Sequence, residues 1–189
     1  MRNSDSLQLV AVIFVFALSG CSDEPKSDED ALQATDKHAG WTTHVTKNPM
    51  DDQIQAFATS STVGAVSGAG ASIPNLKANL GVGCDAASRW AYLNFSRTIS
   101  VIDTEKDRYG FDLITGRVRW DDAEPVDFKA QRKLGGDSMQ FPNAFIYRMK
   151  LHQEARIEID WYGEGRVVFR FDLIGADAAI EEAIEICGL

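Results

Sequence analysis

The strongest constraint on the fold is an alternation of apolar and polar side chains with a period of two residues. Residues 76–84 alternate without a break, and residues 157–173 alternate on both sides of a Gly-Glu-Gly segment at 163–165. This period gives a β-strand one apolar face, and a glycine-rich break between two such runs favours a hairpin. The sequence therefore predicts an antiparallel, mainly β domain.

Shorter runs of β-branched and aromatic residues predict further strands. They lie at 41–47, from 53 onward, and at 89–101, 111–120 and 126–130. Val, Ile, Thr and aromatic residues are enriched in strands, whereas Asn, Asp, Gly and Pro between the runs favour turns. Residues 63–74 are rich in glycine, alanine and serine and are predicted to form a mobile loop, and residues 103–109 a charged turn.

Two segments change to the helical period. Phe145 and Met149 suit one side of a short helix that opens at Pro142. A second helix follows Asp177, a residue suited to capping, because apolar positions recur at i, i+3, i+4 and i+7: Ile180, Ala183, Ile184 and Cys187. The predicted class is α+β, mainly β, with antiparallel sandwich-like sheets, a short helix near residue 142 and a C-terminal helix.

Residues 7–18 are apolar except for one glutamine and end in Leu-Ser-Gly-Cys at 18–21, which resembles a bacterial lipobox. Small residues before Cys21 let the backbone enter a peptidase cleft, and the Cys21 thiol accepts a diacylglycerol group. The alternatives are a transmembrane helix and a buried core strand. Twelve residues rise only about 18 Å as a helix, against a hydrocarbon core of about 30 Å, so a signal peptide over residues 1–20 fits the length better.

The segment that follows has the composition of a tether. Residues 22–38 contain six acidic residues, two lysines and one proline, with almost nothing to bury. We therefore expect a lipidated Cys21 and an acidic disordered tether over 21–38, followed by a single β-rich domain over 39–189. Ser22 after Cys21 resembles lipoproteins sorted to the outer membrane, which predicts a lipid-anchored protein of the cell envelope that faces the periplasm.

The net charge of −9 argues against nucleic acid as a partner, because DNA and RNA are polyanions. The charge is compatible with a cationic protein ligand. A simpler role, solubility beside a negatively charged membrane, is the favoured explanation.

The chain has three cysteines, and assigning Cys21 to lipid leaves Cys84 and Cys187. Both lie at inward positions of their predicted elements, and an even number of cysteines in an oxidising compartment favours a disulfide. We predict that Cys84 and Cys187 are bonded to each other. Two buried free thiols are the alternative.

Motifs for catalysis and for cofactors are weak. The three histidines, His38, His44 and His152, do not have the spacing of metal ligands, and no Gly-x-Ser-x-Gly motif is present. Residues 81–86 match a dinucleotide glycine pattern, but the glycines lie inside a predicted strand and not after it. We expect no enzyme activity, no metal, no cofactor and no nucleotide.

Several segments together resemble the VasI/TagO family of periplasmic accessory proteins of type VI secretion. They are Trp41, the Pro-Met-Asp-Asp turn at 49–52, the segment 80–84, and the segment 169–175 followed by a helix that ends at Cys187. The resemblance covers residues 41–187. It implies an envelope protein that acts by binding and without a cofactor, a bridge between Cys84 and Cys187, and a turn at 51–52.

The sequence thus predicts a lipid-anchored envelope binding or accessory protein, associated with type VI secretion, that attaches to the membrane through Cys21 and has an envelope protein as its partner. The alternative is a periplasmic lipoprotein that inhibits a cationic cell-wall hydrolase, since an acidic surface steers a basic target.

Overall fold

The computed structural model describes residues 36–101, 104–133 and 136–189. The strands are β1 Asp36–His38, β2 Trp41–Lys47, β3 Ile54–Ser60, β4 Val63–Ser67, β5 Ser72–Cys84, β6 Arg89–Phe95, β7 Thr104–Lys106, β8 Asp112–Trp120, β9 Val126–Arg132, β10 Ser138–Phe141, β11 Glu154–Trp161 and β12 Gly165–Asp172. The helices are α1 Ala144–Leu151 and α2 Ala176–Cys187. Within these ranges, no helix is long and apolar enough to cross a membrane.

The predicted β-rich class with two helices is confirmed, but the sheet is arranged differently from a sandwich. One antiparallel sheet runs β5, β4, β12, β11, β8, β9, β10, β6 and returns to β5, which closes an eight-stranded barrel. Strands β3, β2 and β1 extend the sheet from β5, and β7 pairs with β8. The alternating pattern specifies which side chains turn inward, but it leaves open whether the sheet closes on itself.

Strand β5 is the junction between the barrel and the extension. Its first half pairs with β4, and its second half lies between β3 and β6. Thirteen residues give β5 the length to serve both parts. The barrel wall and the extension therefore share one continuous backbone.

The barrel interior and its end near α1 are filled by aromatic side chains. Trp161 and Phe169 each meet Phe95 edge to face, at centroid distances of 5.4 and 5.6 Å. Helix α1 inserts Phe145, which stacks on Phe141 at 4.1 Å and meets Trp120 edge to face at 5.4 Å. Such pairs add to the free energy of apolar burial, so they fix how α1 sits on the barrel.

Helix α2 covers the inner face of the extension. It contacts β2, β3 and β5, and its side of the interface is mostly alanine and isoleucine, which lets the helix approach the sheet closely. The predicted disulfide is confirmed: Cys84, the last residue of β5, is bonded to Cys187, the last residue of α2, with the Cα atoms 6.2 Å apart. The bridge pins the helix to the junction strand.

The predicted loop over residues 63–74 is wrong. Strand β4 occupies Val63–Ser67 and β5 already begins at Ser72, and the two pair as a hairpin. Ala65 and Ile73 are buried. Glycine, alanine and serine have low strand propensity, but pairing with β5 and β12 on either side overrides that propensity for β4. Within the predicted charged turn at 103–109, residues Thr104–Lys106 form β7.

Two boundaries also differ from prediction. The domain includes β1, because Asp36–His38 pairs with β2 and the His38 ring lies 2.8 Å from a Glu182 carboxylate oxygen of α2. Helix α2 starts after Gly175, at φ +88°, and Asp177 lies in its first turn without capping it. A Cβ at Gly175 would lie 2.3 Å from the His38 carbonyl oxygen, so glycine is required where β1 crosses this helix end. The predicted signal peptide, Cys21 and the tether up to residue 35 lie outside the described residues.

Candidate functional site

An open groove lies on the outer face of the sheet, opposite α2, where the extension meets the barrel. We call it the aromatic groove. It has a volume of about 280 Å³ and crosses β2, β3, β5, β6 and β10. Its lining consists of His44, Phe57, Thr59, Asn79, Trp90, Tyr92, Asn94, Lys133 and Ser138.

Strand register explains why these side chains are together. One row across the sheet pairs His44 with Phe57, Phe57 with Gly83, and Gly83 with Trp90. The next row pairs Thr59 with Gly81 and Gly81 with Tyr92. Residues two apart on a strand share a face and lie about 7 Å apart, so the two rows form one continuous surface.

The two glycines of β5 make room for the aromatic rings. A Cβ at Gly81 would lie 2.5 Å from Cζ of Tyr92, and one at Gly83 would lie 2.7 Å from Cε2 of Trp90. The rings of Tyr92 and Trp90 therefore lie across bare backbone. The floor of the groove depends on glycine at both positions.

Phe57 is the centre of the aromatic cluster. Its ring stacks on His44 at a centroid distance of 5.0 Å and 13° between planes, and it meets Trp90 and Tyr92 edge to face at 6.2 and 6.3 Å. His44, Phe57 and Trp90 are half-buried, so part of each ring faces solvent. Partial burial lowers the pKa of His44, which favours the neutral imidazole.

Tyr92 is the most buried ring of the groove, with 8% of its surface exposed. Its hydroxyl and the Thr59 hydroxyl lie 2.7 Å apart and form a hydrogen bond. Burial raises the pKa of Tyr92, and the bond to Thr59 opposes that effect in part. Tyr92 thus anchors the floor and keeps its phenol protonated.

A polar row runs beside the aromatic rows. Asn79 pairs with Asn94, and Asn94 pairs with Ser138. The side-chain oxygen of Asn79 is buried and has no hydrogen-bond partner among the described residues. Buried polar atoms are nearly always paired with protein groups or ordered water, so this oxygen is available to accept a hydrogen bond from water or from a ligand.

Two larger concavities are occupied by ion pairs. One, of about 520 Å³ on β8, β9 and β11, contains the pairs Arg117–Glu158 and Lys129–Glu105. The other, of about 850 Å³, contains Glu154 paired with Arg156 and Arg170. Both concavities are therefore lined largely by paired charges, and neither has the half-exposed aromatic rings of the aromatic groove.

The predicted site residues fall into separate places. Cys84 and Cys187 are together, and Cys21 lies outside the described residues. The histidines are apart: His38, at the end of β1, contacts Glu182 of α2, His44 lies in the aromatic groove, and His152 lies beside Asp121. Among the described residues, no group of three or more His, Cys, Asp or Glu side chains is arranged to hold a metal ion.

The turn at 51–52 is present as expected. The Asp51 carboxylate accepts a hydrogen bond from the backbone N–H of Gln53, and Asp52 adopts φ +57° and pairs with Lys47. These bonds close the corner between β2 and β3. The two adjacent carboxylates therefore have a structural role.

A second polar cluster joins the end of α1 to the barrel. Asp121, at φ +48°, accepts hydrogen bonds from the backbone N–H groups of Gln153 and Glu154 at 2.9 and 2.8 Å. Its other oxygen accepts from Nδ1 of His152 at 2.8 Å, and that ring stacks on Trp120 at 5.5 Å. The bond from His152 and the two backbone bonds lower the pKa of Asp121.

The lowered pKa of Asp121 predicts that the free energy of unfolding falls at low pH. A carboxylate whose pKa is lowered on folding stabilises the protein above its unfolded pKa of about 3.9, and the stabilisation is lost as the pH falls through the lowered folded pKa. Asp121→Asn should therefore lower the free energy of unfolding at pH 7 and flatten its fall below about pH 4. Urea unfolding at pH 7 and at pH 3 measures both effects.

Asp122→Asn is the matched control, since the Asp122 side chain is 98% exposed and lies one residue away. We expect its acid profile to follow that of the unsubstituted protein. An Asp121→Asn profile as steep as that of Asp122→Asn would contradict the role of Asp121.

No protein-family model matches this chain, and no curated protein matches it. Among solved structures, the crystal structure of invasion associated protein B from Bartonella henselae is similar, with a TM-score of 0.49 and 10% sequence identity. The alignment covers 80% of this chain and 95% of that chain. A likeness of this degree does not indicate a shared function.

Sequence reasoning did not identify the aromatic groove. The signal was in residues 90–94, where Trp90, Tyr92 and Asn94 alternate with Ala91 and Leu93. The aromatic residues share the polar face and not the apolar one. Aromatic side chains on the solvent face of a strand indicate a binding surface more often than a core.

Proposed function

We propose that the chain is a lipid-anchored binding or accessory protein of the cell envelope and that it binds through the aromatic groove. The observation that carries this proposal is the groove itself. Half-exposed rings beside an unpaired buried amide oxygen form a surface with both apolar area and directional polar groups. Ligand sites in proteins combine these two features.

The envelope location is supported by the N-terminal sequence and by the disulfide. Residues 7–18 and Cys21 have the pattern of a lipoprotein signal, and the Cys84–Cys187 bond is of a kind that persists in oxidising compartments. Lipid on Cys21 would attach the domain to a membrane. The acidic segment before residue 36 would then hold the groove away from the lipid surface.

The anchor has a direct test. In cells, Cys21→Ser should move the protein from the membrane fraction to the soluble periplasmic fraction, because the thiol that takes the lipid is gone. Immunoblots of the separated fractions measure the shift. Ser27→Ala, in the same predicted tether, keeps the thiol and should stay with the membrane. A Cys21→Ser protein that remains membrane-bound would refute the anchor.

The resemblance to the VasI/TagO family supports type VI secretion as the setting of this binding role. The segments that carry it include the strand ending at Cys84 and the helix ending at Cys187. Genes for a secretion apparatus next to the gene for this chain would support that setting, and their absence in related genomes would count against it.

The net charge of −9 favours a second candidate function, inhibition of a cationic cell-wall hydrolase. Turnover of cell walls by a basic lysozyme, with and without the purified protein, separates the two functions. Inhibition that survives substitutions in the aromatic groove would favour the second.

A further inference from the structure

We propose that the aromatic groove binds an N-acetylated amino-sugar chain that carries carboxylates, the chemistry of the glycan strands of a bacterial cell wall. The inference rests on the proposed binding role of the groove and names the ligand class. Three features of the groove support it: the exposed rings, the unpaired amide oxygen and a lysine at the polar side.

The rings suit the face of a sugar. A pyranose ring presents a flat patch of C–H groups with slight positive polarisation, and the face of an aromatic ring is negative. His44, Phe57 and Trp90 each leave part of a ring open to solvent along one row of the sheet. The row is open at the surface, so a chain of sugars lies along it without needing to enter a closed cavity.

The polar row suits an acetamido group. The unpaired oxygen of Asn79 needs an N–H or O–H donor, and Asn94 beside it has an amide of its own. An acetamido group offers one N–H and one C=O, which complements an asparagine side chain. Rotation of the Asn79 side chain toward the groove would let a donor of the ligand satisfy this oxygen, which is buried in the free protein.

Lys133 gives the groove a positive charge on the side of the polar row. It lines the groove together with Ser138, and its side chain is exposed. In a protein with a net charge of −9, a lysine within a binding groove selects for a ligand that carries a negative group. A carboxylate on the sugar chain supplies that group.

Other ligand classes fit less well. A peptide that adds a strand needs a free sheet edge, but the β5 and β6 segments beneath the groove are paired on both sides. Single-stranded nucleic acid uses aromatic stacking too, yet it needs a positively charged path for its phosphates. The lining of the groove has one lysine and no arginine.

Titration of the purified full-length protein with three probes tests the ligand class. The probes are soluble cell-wall glycan strands, which have acetamido groups and carboxylates, the N-acetylglucosamine tetramer, which has acetamido groups only, and cellotetraose, which has neither. We expect affinity to fall in that order. Equal affinity for all three, no binding of any, or preferred binding of a single-stranded oligonucleotide would overturn the proposal.

Substitutions inside and outside the aromatic groove test where the sugar chain binds. Trp90→Ala should weaken binding of the glycan strands by about tenfold or more, the loss expected when one stacking ring is removed. Tyr162→Ala removes a ring that is 73% exposed and lies on the turn between β11 and β12, and its affinity should be unchanged. Equal effects of the two substitutions would place the site elsewhere.

Lys133→Gln provides a test that does not depend on the fold of the aromatic cluster, because Lys133 is exposed. It should reduce affinity for the glycan strands to that for the neutral tetramer and leave binding of the tetramer unchanged. A glycan affinity that is unaffected by Lys133→Gln would refute the carboxylate contact.

These experiments distinguish failure of the proposed envelope anchor from failure of the proposed ligand class. If no sugar binds but Cys21→Ser still releases the protein from the membrane, the envelope anchor stands and the ligand class is wrong. If the sugars bind as expected but Cys21→Ser stays with the membrane, the ligand class stands and the anchor is wrong.

Discussion

Removing the disulfide, in the double variant Cys84→Ala/Cys187→Ala, should lower the free energy of unfolding by about 2–5 kcal/mol. The bond joins residues 103 positions apart, and a cross-link over about 100 residues removes up to about 4.7 kcal/mol of chain entropy from the unfolded state. Both cysteines are also buried, at 0% and 9% exposure, so replacing them with alanine removes van der Waals contacts between α2 and β5. Urea unfolding of oxidised protein measures the loss.

The single variants sharpen this test. Either substitution alone breaks the bond, so Cys84→Ala, Cys187→Ala and the double variant should have similar stabilities, and the second substitution should add little to the first. Cys21→Ser is the control that removes a thiol outside the bridge. Losses that simply add would show that the cysteines contribute through packing and not through the bond. Reduction of the unsubstituted protein should have an effect close to that of the double variant.

The second large effect is expected at Gly81. An added Cβ would lie 2.5 Å from the Tyr92 ring and 2.7 Å from the carbonyl oxygen of Ala58, and the latter belongs to the backbone of β3, which cannot turn aside. Gly81→Ala should therefore lower the free energy of unfolding by about 1–3 kcal/mol, the range for overpacking a close-packed site. Displacement of Tyr92 should also break its bond to Thr59 and weaken ligand binding.

Gly64→Ala is the matched control for this substitution. Gly64 also lies within a strand, but a Cβ there would meet nothing within 4 Å, and its φ is not in the left-handed region. We expect Gly64→Ala to be neutral or to stabilise the protein by about 0.4–1 kcal/mol, since alanine restricts the unfolded chain more than glycine does. Equal stability of Gly81→Ala and Gly64→Ala would contradict the close approach at Gly81.

Period-two alternation was sufficient to predict the strands that form the buried walls. The alternation predicted β11, β12 and residues 76–84 of β5, and the helical period predicted α2, because burial of one face imposes the period on the sequence. The disulfide followed for the same reason, since Cys84 and Cys187 each occupy an inward position of a regular element. These features depend on the side-chain pattern within a single element, so the sequence predicts them.

Features that depend on pairing between distant strands were not predictable. Strand β4 contains glycine, alanine and serine, which have low strand propensity, and pairing with β5 and β12 fixes its conformation. The aromatic groove needs Gly83 opposite Trp90 and Gly81 opposite Tyr92, a register that no single segment records. Barrel closure likewise requires one strand to pair on both edges with strands from different parts of the sequence.

The seam that closes the barrel also bears on how quickly the chain folds. Strand β4 pairs with β12 through only two residue pairs, and one of them joins Ser67 to Val167, 100 positions later in the sequence. Contacts between such distant residues form only after a large loop has closed, and the entropy lost in closing it opposes folding. β topologies of this kind therefore fold in milliseconds to seconds. Until that seam forms, β4 and β12 each present an unpaired edge with which other chains can pair, so aggregation competes with folding at this stage.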